Sequence, residues 1–459
     1  MFDRIRRWLG GTSTRSYDGA QGGRRFTGMP SMPSPVSSSH VSRYTLAARA
    51  RYLVSNNPLA AAAVQAWCAQ AVGAGIKPVS THADPAIRET LTARFAAWTD
   101  VAAADGRTDW YGIQNELFRS MVITGEGLAI LINSDRGLRI RVLDPEQLDA
   151  SHAANLTGGG YIIQGVEFNA QGERVAYHIL SQPPGLELGI QRRSERIPAD
   201  DVIHLYRQDW PSAVRGISFF SPALLRIADL DSWRDAQLVR QKVAAMLAGF
   251  VTSSDGSGSP LEGEQDGSNL IGGLSPGHLA YLAPGEEITF SQPANIGSEV
   301  IEFAAICERE IAAALGLPAH IFGDVTRANY SSLKSANTAW KARVEALQWS
   351  TFVFQVCLPV WRRFVTLDVL AGNVTTNVDA AMPVKHVCPQ FPSLEPVKEI
   401  TAQVMELKAG LTSRRALLAA RGEDAEQVDA DIAADQARAT SLGLTFAASD
   451  NAAVDDEAA

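Results

Sequence analysis

Apolar residues recur at intervals of three and four in some stretches of this chain and at every second position in others. The two spacings divide it into helical and extended segments. Helical spacing predicts three early helices, from Asn57-Pro58 to about 73, over about 85–98 and over about 110–123. Asn57 is a capping residue, and proline is tolerated in the first helical turn. From 127 to about 205 the texture becomes short and alternating, with runs at 128–133, 139–143, 161–168, 174–180 and 202–206. Turn-rich pieces such as Asn169-Ala170-Gln171-Gly172 separate them, which predicts an antiparallel β region.

Helical spacing returns at Ser221-Pro222 and runs to about 250, with a stripe of Leu225, Trp233, Ala236, Val239, Val243, Leu247 and Phe250. Residues 253–270 carry Ser, Gly, Pro and four acids without a base, which predicts an exposed loop, and a short β patch follows at about 279–290. The next helix covers about 298–315, with the stripe Val300, Phe303, Cys307, Ile311 and Ala314, and stops at Gly316 and Pro318. A long helix over about 331–370 aligns Leu333, Ala336, Trp340, Val344, Leu347, Thr351, Phe354, Leu358 and Trp361, and Pro359 should kink or split it. Helices broken near Gly410 and Gly422 cover about 395–442. The expected fold class is α+β.

Composition narrows the function. The balance of 41 bases and 50 acids gives a formal charge of −9, whereas a protein that grips DNA tightly carries a basic excess. Cys68, Cys307, Cys357 and Cys388 are far apart and read as reduced, mostly buried thiols, which fits synthesis in the cytoplasm. No targeting signal is read at the start, and the uncharged stretch 59–76 is alanine-rich, as in a packed helix rather than a membrane span. Residues 1–43 are expected as a flexible arm and 446–459 as a disordered acidic tail.

The search for chemistry returns no site. No Gly-Lys dipeptide occurs, so the phosphate-cradling loop of packaging ATPases is missing, and no His-Glu-x-x-His zinc motif is present. Asp100, Asp105 and Asp109 do not match a calcium loop and read as a turn. His386 and Cys388 are too few for a structural metal. His204, inside an apolar run, reads as a hydrogen-bonded strand histidine, and Gly158–Gly160 as a turn. Trp110, Trp233, Trp340, Trp349 and Trp361 lie on predicted helices and read as core. No enzyme activity, cofactor or metal is expected.

A series of short blocks resembles the lambda-like family of phage portal proteins over about 40–445, in the family's order. They begin with Arg49-Ala50-Arg51-Tyr52-Leu53-Val54-Ser55-Asn56-Asn57-Pro58 and Val72-Gly73-Ala74-Gly75-Ile76, then Gly125-Glu126-Gly127 and Leu143-Asp144-Pro145-Glu146. Ile197-Pro198-Ala199-Asp200-Asp201-Val202-Ile203-His204 and Arg215-Gly216-Ile217-Ser218 follow. The most telling are Leu282-Ala283-Pro284-Gly285-Glu286, Leu315-Gly316-Leu317-Pro318 and Asn329-Tyr330-Ser331-Ser332. Val214 stands where glutamine is expected, and Ile321-Phe322-Gly323 is atypical.

The resemblance implies a portal fold that assembles as a ring, usually a dodecamer, with a helical wing and stem, a mixed β region, a small clip and a helical crown. It implies a wing over 44–217, a long helix into the stem over 218–250, a clip at 251–297 and a second stem helix at 298–317. A tunnel loop at 318–332, a long kinked wing helix at 333–394 and a crown at 395–445 complete it. It implies double-stranded DNA passing through the channel, and partners in the terminase large subunit, the head–tail adaptor and the major capsid or scaffold protein. The location is the virion portal vertex, reached from the host cytoplasm. Arg327, Asn329, Tyr330 and Lys334 are tunnel-loop candidates, with helix capping by Asn329 and Ser331 as the plainer reading. Glu299, Glu302, Glu308 and Glu310 are candidates for an acidic bore that lets a polyanion slide. In a closed ring every contact is head-to-tail, so a single copy should leave apolar surface uncovered. The competing readings are another head–tail adaptor ring and a DNA-packaging nuclease, which would need clustered acids for metal ions.

Overall fold

The structure is a computed structural model. It describes residues 34–135, 137–183, 185, 193–245, 249–253, 264–266, 269–271, 286–290, 298–322, 329–391, 395–421 and 425–444. Helix α1 (Pro35–Asn56) starts inside the segment expected as a flexible arm and buries Ser39 and Arg43. Its inward positions are Ser39, Arg43, Ala47 and Ala50, with apolar Leu53 and Val54 only near its end, so no long apolar stripe announces it. Asn57 ends α1 by donating its N–H to the Leu53 carbonyl at 2.7 Å, and opens α2 (Pro58–Ala71) by accepting from the N–H groups of Leu59 and Ala60 at 3.0 and 3.2 Å. Strand β1 (Lys77–Ser80) follows, then α3 (Pro85–Thr99) and α4 (Trp110–Thr124). The aspartates between these helices make the expected turn: Asp109 caps α4 through the Gly112 N–H, and Asp105 accepts from the Arg107 N–H.

The β region forms two antiparallel sheets. Strands β2 (Glu126–Ser134), β3 (Gly137–Leu143) and β9 (Val202–Tyr206) pair in the order β3-β2-β9. Strands β4 (Ala154–Asn155), β5 (Tyr161–Ile163), β6 (Val166–Phe168), β7 (Arg174–Leu180) and β8 (Ser194–Pro198) pair in sequence order. The run 161–168 is a hairpin rather than one strand, because Gln164 and Gly165 both take positive φ, at 52° and 80°. Alternation along β2 and β9 builds two cores. Ala129, Leu131, Ile203 and Leu205 join the large helical core. Leu128, Ile130 and Val202, on the opposite face, meet Val166, Phe168, Tyr177 and Ile179 of the five-stranded sheet.

Helix α5 (Leu224–Ala245) is shorter than the pattern predicted, and Phe250 lies instead in β10 (Gly249–Ser253), opposite Thr289 of β13 (Glu286–Phe290). The span expected as a loop contains β11 (Glu264–Asp266) paired with β12 (Asn269–Ile271). The face of α5 that packs is Leu224, Ile227 and Leu230, whereas Leu225 and Val239 of the predicted stripe are exposed. Helix α6 (Ser298–Ala314) returns alongside α5, with Phe303 against Trp233 at 5.2 Å between ring centroids. Its predicted stripe is buried only at Cys307 and Ile311, and Phe303 is 48% exposed.

Helix α7 (Tyr330–Leu347) leads through a π-helical stretch (Gln348–Cys357) into α8 (Leu358–Leu370). The Leu358 N–H reaches the Val353 carbonyl five residues back. Wider turns immediately before Pro359 accommodate the ring that would otherwise clash with the preceding helical turn. They also shift the phase, so Phe352, Val356 and Val360 are buried while Phe354 of the predicted stripe is exposed. Gln355 in this stretch hydrogen-bonds both backbone groups of Tyr206, accepting from its N–H at 2.9 Å and donating to its carbonyl at 3.1 Å. After α9 (Val378–Ala381), strand β14 (Val384–Val387) pairs antiparallel with β1 and ties the two ends of the body together. Helices α10 (Pro396–Lys408), α11 (Arg414–Arg421) and α12 (Ala425–Ser441) follow the predicted breaks. Helix α10 buries no residue, and Val397, Ile400 and Val404 lie exposed along it. Trp110, Trp340 and Trp361 are core, Trp233 is half-buried and Trp349 is exposed. Three of the four free cysteines are buried, and burial pushes the Cys68 thiol up to about 11. Among the described residues no helix is long and apolar enough to cross a membrane.

Candidate functional site

Three places in this fold bear on function: the start of α7, the paired helices α5 and α6, and a buried ion cluster between the two cores. At the first, Asn329 caps α7. Its Oδ1 accepts from the Ser332 N–H at 2.8 Å, and Ser332 Oγ accepts from the Asn329 N–H at 3.1 Å. Ser332, not the expected Ser331, completes the box. Tyr330 and Lys334, one turn apart, both face Glu395 just before α10. The Tyr330 hydroxyl hydrogen-bonds this carboxylate, which raises its pKa, and Lys334 Nζ lies 3.6 Å from Glu395 Oε2. Lys398 Nζ reaches the other oxygen at 2.6 Å, so hydrogen bonds from Lys398 and then Tyr330 hold the Glu395 carboxyl low. Arg327 lies outside the described residues.

In the helix pair, Glu310 meets Arg226 of α5 at 3.1 Å, and Glu308 is ion-paired with Arg234. These two acids therefore serve the contact between the helices. Glu302 is exposed and has no ion-pair partner among the described residues. The side chain of Glu299 lies outside the described residues.

The third place escaped the sequence reading. Gly125-Glu126-Gly127 and Arg215-Gly216 lie far apart in sequence, yet their backbones touch. A Cβ on Gly216 would stand 2.1 Å from the Gly125 carbonyl oxygen, so neither position tolerates a side chain. This approach delivers the Glu126 carboxylate to Arg215, whose Nε and Nη2 donate to it at 2.6 Å each, and to the Gly216 N–H at 2.8 Å. Arg43 of α1 adds a third cationic donor at 3.3 Å. His204 Nε2 lies 3.1 Å from Glu126 Oε1. Burial alone would raise the Glu126 pKa, but the guanidinium groups of Arg215 and Arg43 prevail and hold it well below the usual carboxylate range. Burial keeps His204 neutral, with its pKa lowered to about 4. Arg215 also donates to the carbonyls of Pro145 and Gln164. The cluster thus joins α1, β2, β9 and the turns of the second sheet, and offers no open pocket or bound-substrate geometry. The expectation for His204 holds. The signal for the rest was present in two of the short blocks, which composition could not connect.

His386 and Cys388 do not form part of any metal-binding group of three or more among the described residues. The family model described as phage portal protein, lambda family, matches residues 22–348.

The chain belongs to the lambda family of phage portal proteins.

As a portal protein it is a structural subunit of the head–tail connector. The matched span ends at the start of the π-helical stretch, short of the 40–445 that the motifs suggested. Solved structures similar to this portal protein include the neck of a native gene transfer agent particle computed with C12 symmetry, at 17% identity and TM-score 0.46, covering 83% of this chain and 93% of that one. The virion of the native particle gives the same identity and TM-score. A portal protein of the HK97 family from Corynebacterium diphtheriae is 11% identical at TM-score 0.28, over 70% of this chain and 93% of that one.

Proposed function

We propose that copies of this portal protein close into a twelve-membered ring at one capsid vertex, through which double-stranded DNA enters and leaves. In this reading residues 44–217 with part of 333–394 form the wing, α5 and α6 the stem, 251–297 the clip, 318–332 the tunnel loop and 395–445 the crown. The ring docks the terminase large subunit during packaging, the head–tail adaptor afterwards, and the capsid or scaffold protein around its wing. It acts as a conduit and not as an enzyme.

Beside family membership, one observation supports assembly: apolar side chains stand bare on helices that a single copy cannot cover. Val397, Ile400 and Val404 on α10, Ile301 and Ile306 on α6, and Leu225 and Val239 on α5 are exposed. A 13-residue helix such as α10, with nothing buried, is not stable alone in water. Imaging of the purified chain by negative stain, with mass measurement, tests the proposal. An annulus with a central hole supports it, and a compact single copy under every condition removes it. Nuclease activity with magnesium would favour the packaging-nuclease reading instead.

The net charge of −9 suits a bore that does not hold a polyanion. Glu308 and Glu310 are spent on ion pairs, so Glu299 and Glu302 are the stronger candidates for acidic surface near the bore. Their reversal to lysine should slow packaging or raise salt-sensitive DNA binding, and unchanged packaging would remove this assignment. Asn329, Tyr330 and Lys334 act chiefly as a brace between the tunnel loop and the crown, with Arg327 as the remaining phosphate contact. Normal DNA retention in Arg327→Ala particles would leave only the brace.

A further inference from the structure

Helices α5 and α6 each carry two faces, and only one of each is used within the subunit. On α5 the face opposite Leu224, Ile227 and Leu230 presents Leu225, Asp229, Ser232 and Ala236, all exposed, at steps of four, three and four. On α6 the face opposite Cys307 and Ile311 presents Ala313, Arg309, Ile306 and Glu302, also exposed, at the same steps read backwards. Steps of four and three keep a stripe on one side of a helix, as in the seam of a coiled coil.

The register of the two stripes follows from contacts inside the subunit. Arg226 meets Glu310 and Trp233 meets Phe303, so rising numbers on α5 run beside falling numbers on α6. The pair is antiparallel, and the same offset sets Asp229 level with Arg309 to within roughly 3 Å along the axis. Neither has an ion-pair partner among the described residues, and Arg309 only donates to the carbonyl of Ala305 in its own helix. Farther along, the signs reverse together. Helix α5 becomes basic at Arg240 and Lys242, while α6 is acidic at Glu302. Asp235 is an exposed acid between these ends.

From these two faces we propose a seam in which α5 of one copy lies antiparallel against α6 of the next, with Asp229 of the first facing Arg309 of the second. The proposal rests on the ring reading and names the surface that closes it. Cyclic symmetry about an axis along the helices keeps their directions, so an antiparallel pairing inside one copy implies an antiparallel pairing between copies. Small side chains at Ser232, Ala236 and Ala313 let the helices approach, Leu225 and Ile306 gain cover, and charges of opposite sign meet at both ends. Glu302 then lies at the rim of the seam, shared with the bore.

The test uses two full-length variants, Asp229→Arg and Arg309→Glu, each placing like charges across every seam. Assembly is followed by mass photometry over a dilution series at low salt. Each variant alone should need about tenfold more protein than wild type to assemble, or more. An equimolar mixture should assemble like wild type, because alternating copies bring the two substituted side chains together, with their charges exchanged, at one seam and the native pair at the next. Variants that assemble alone as wild type does, or a mixture that stays dissociated, would overturn the seam. A wild-type chain that never assembles would overturn the ring reading itself, which separates the two failures.

Discussion

Replacing Glu126 with glutamine should be among the most damaging conservative changes in this protein. The carboxylate is fully buried and receives two bonds from Arg215 at 2.6 Å, one from the Gly216 N–H at 2.8 Å and one from Arg43 at 3.3 Å. Glutamine keeps the shape but removes the negative charge to which both buried guanidinium groups donate, and it turns an NH2 toward their donors. Breaking a buried pair from one side costs about 3–5 kcal/mol, because the remaining charge has neither partner nor water. Arg43→Met is the informative contrast. It removes the more distant of the two cations and relieves the positive excess, so stability should stay within about 1 kcal/mol of wild type. Urea unfolding of the purified variants, followed by tryptophan fluorescence, gives the order directly. An Arg43→Met protein less stable than Glu126→Gln would refute the view that the carboxylate organises the cluster.

Three further outcomes follow from the same geometry. His204 titrates near 4 in the fold because burial disfavours its cation, against an ordinary value of 6.5. The unfolded chain therefore binds a proton first as pH falls, so stability is full above 6.5 and declines by about 3 kcal/mol down to 4. His204→Gln should flatten that slope in pH-dependent urea midpoints. Gly216→Ala should cost about 2–4 kcal/mol, since its Cβ would collide with the Gly125 carbonyl, and thermal unfolding of the variant measures this. Asn329→Ala should cost about 1 kcal/mol and raise amide exchange at Ser332, whose N–H the cap accepts.

Helix positions were largely legible in the sequence, because caps such as Asn57, Asp109 and Asn329 and stops such as Gly125 and Gly316 act within a few residues. The longer strands between 128 and 206 were legible by alternation, except where Gln164 takes a left-handed turn usually given to glycine or asparagine, whereas the short β1, β4, β8 and β14 hold too few alternating positions to stand out and β10, β11 and β12 lie where a helix and a loop were expected. What the pattern could not decide was which of two apolar faces a helix turns inward. On α5 both Leu224-Ile227-Leu230 and Leu225-Ala236-Val239 have helical spacing, and only tertiary contact selects the first. Phase was lost again at Phe354, because a π-helical stretch breaks the period on which the extrapolation relied. The ion cluster was invisible for a different reason: Glu126 and Arg215 are brought together only by the close passage of two glycines. Among the candidate residues, Asn329 was readable as a cap, whereas the partners of Lys334, Glu308 and Glu310 lie far off in sequence, before α10 and on α5, and leave no local trace.

The two hydrogen bonds from Gln355 to Tyr206 have a further consequence. Strand β9 is the last in its sheet, and an open backbone there invites a strand from another molecule, with uncontrolled polymerisation as the result. A single amide side chain imitates the missing peptide and occupies both groups at the strand's end. In the proposed ring, subunits gathered at high local concentration would thereby be steered away from sheet extension at this strand end, leaving the geometry of their association to helical faces, where it can be limited to a fixed number of copies.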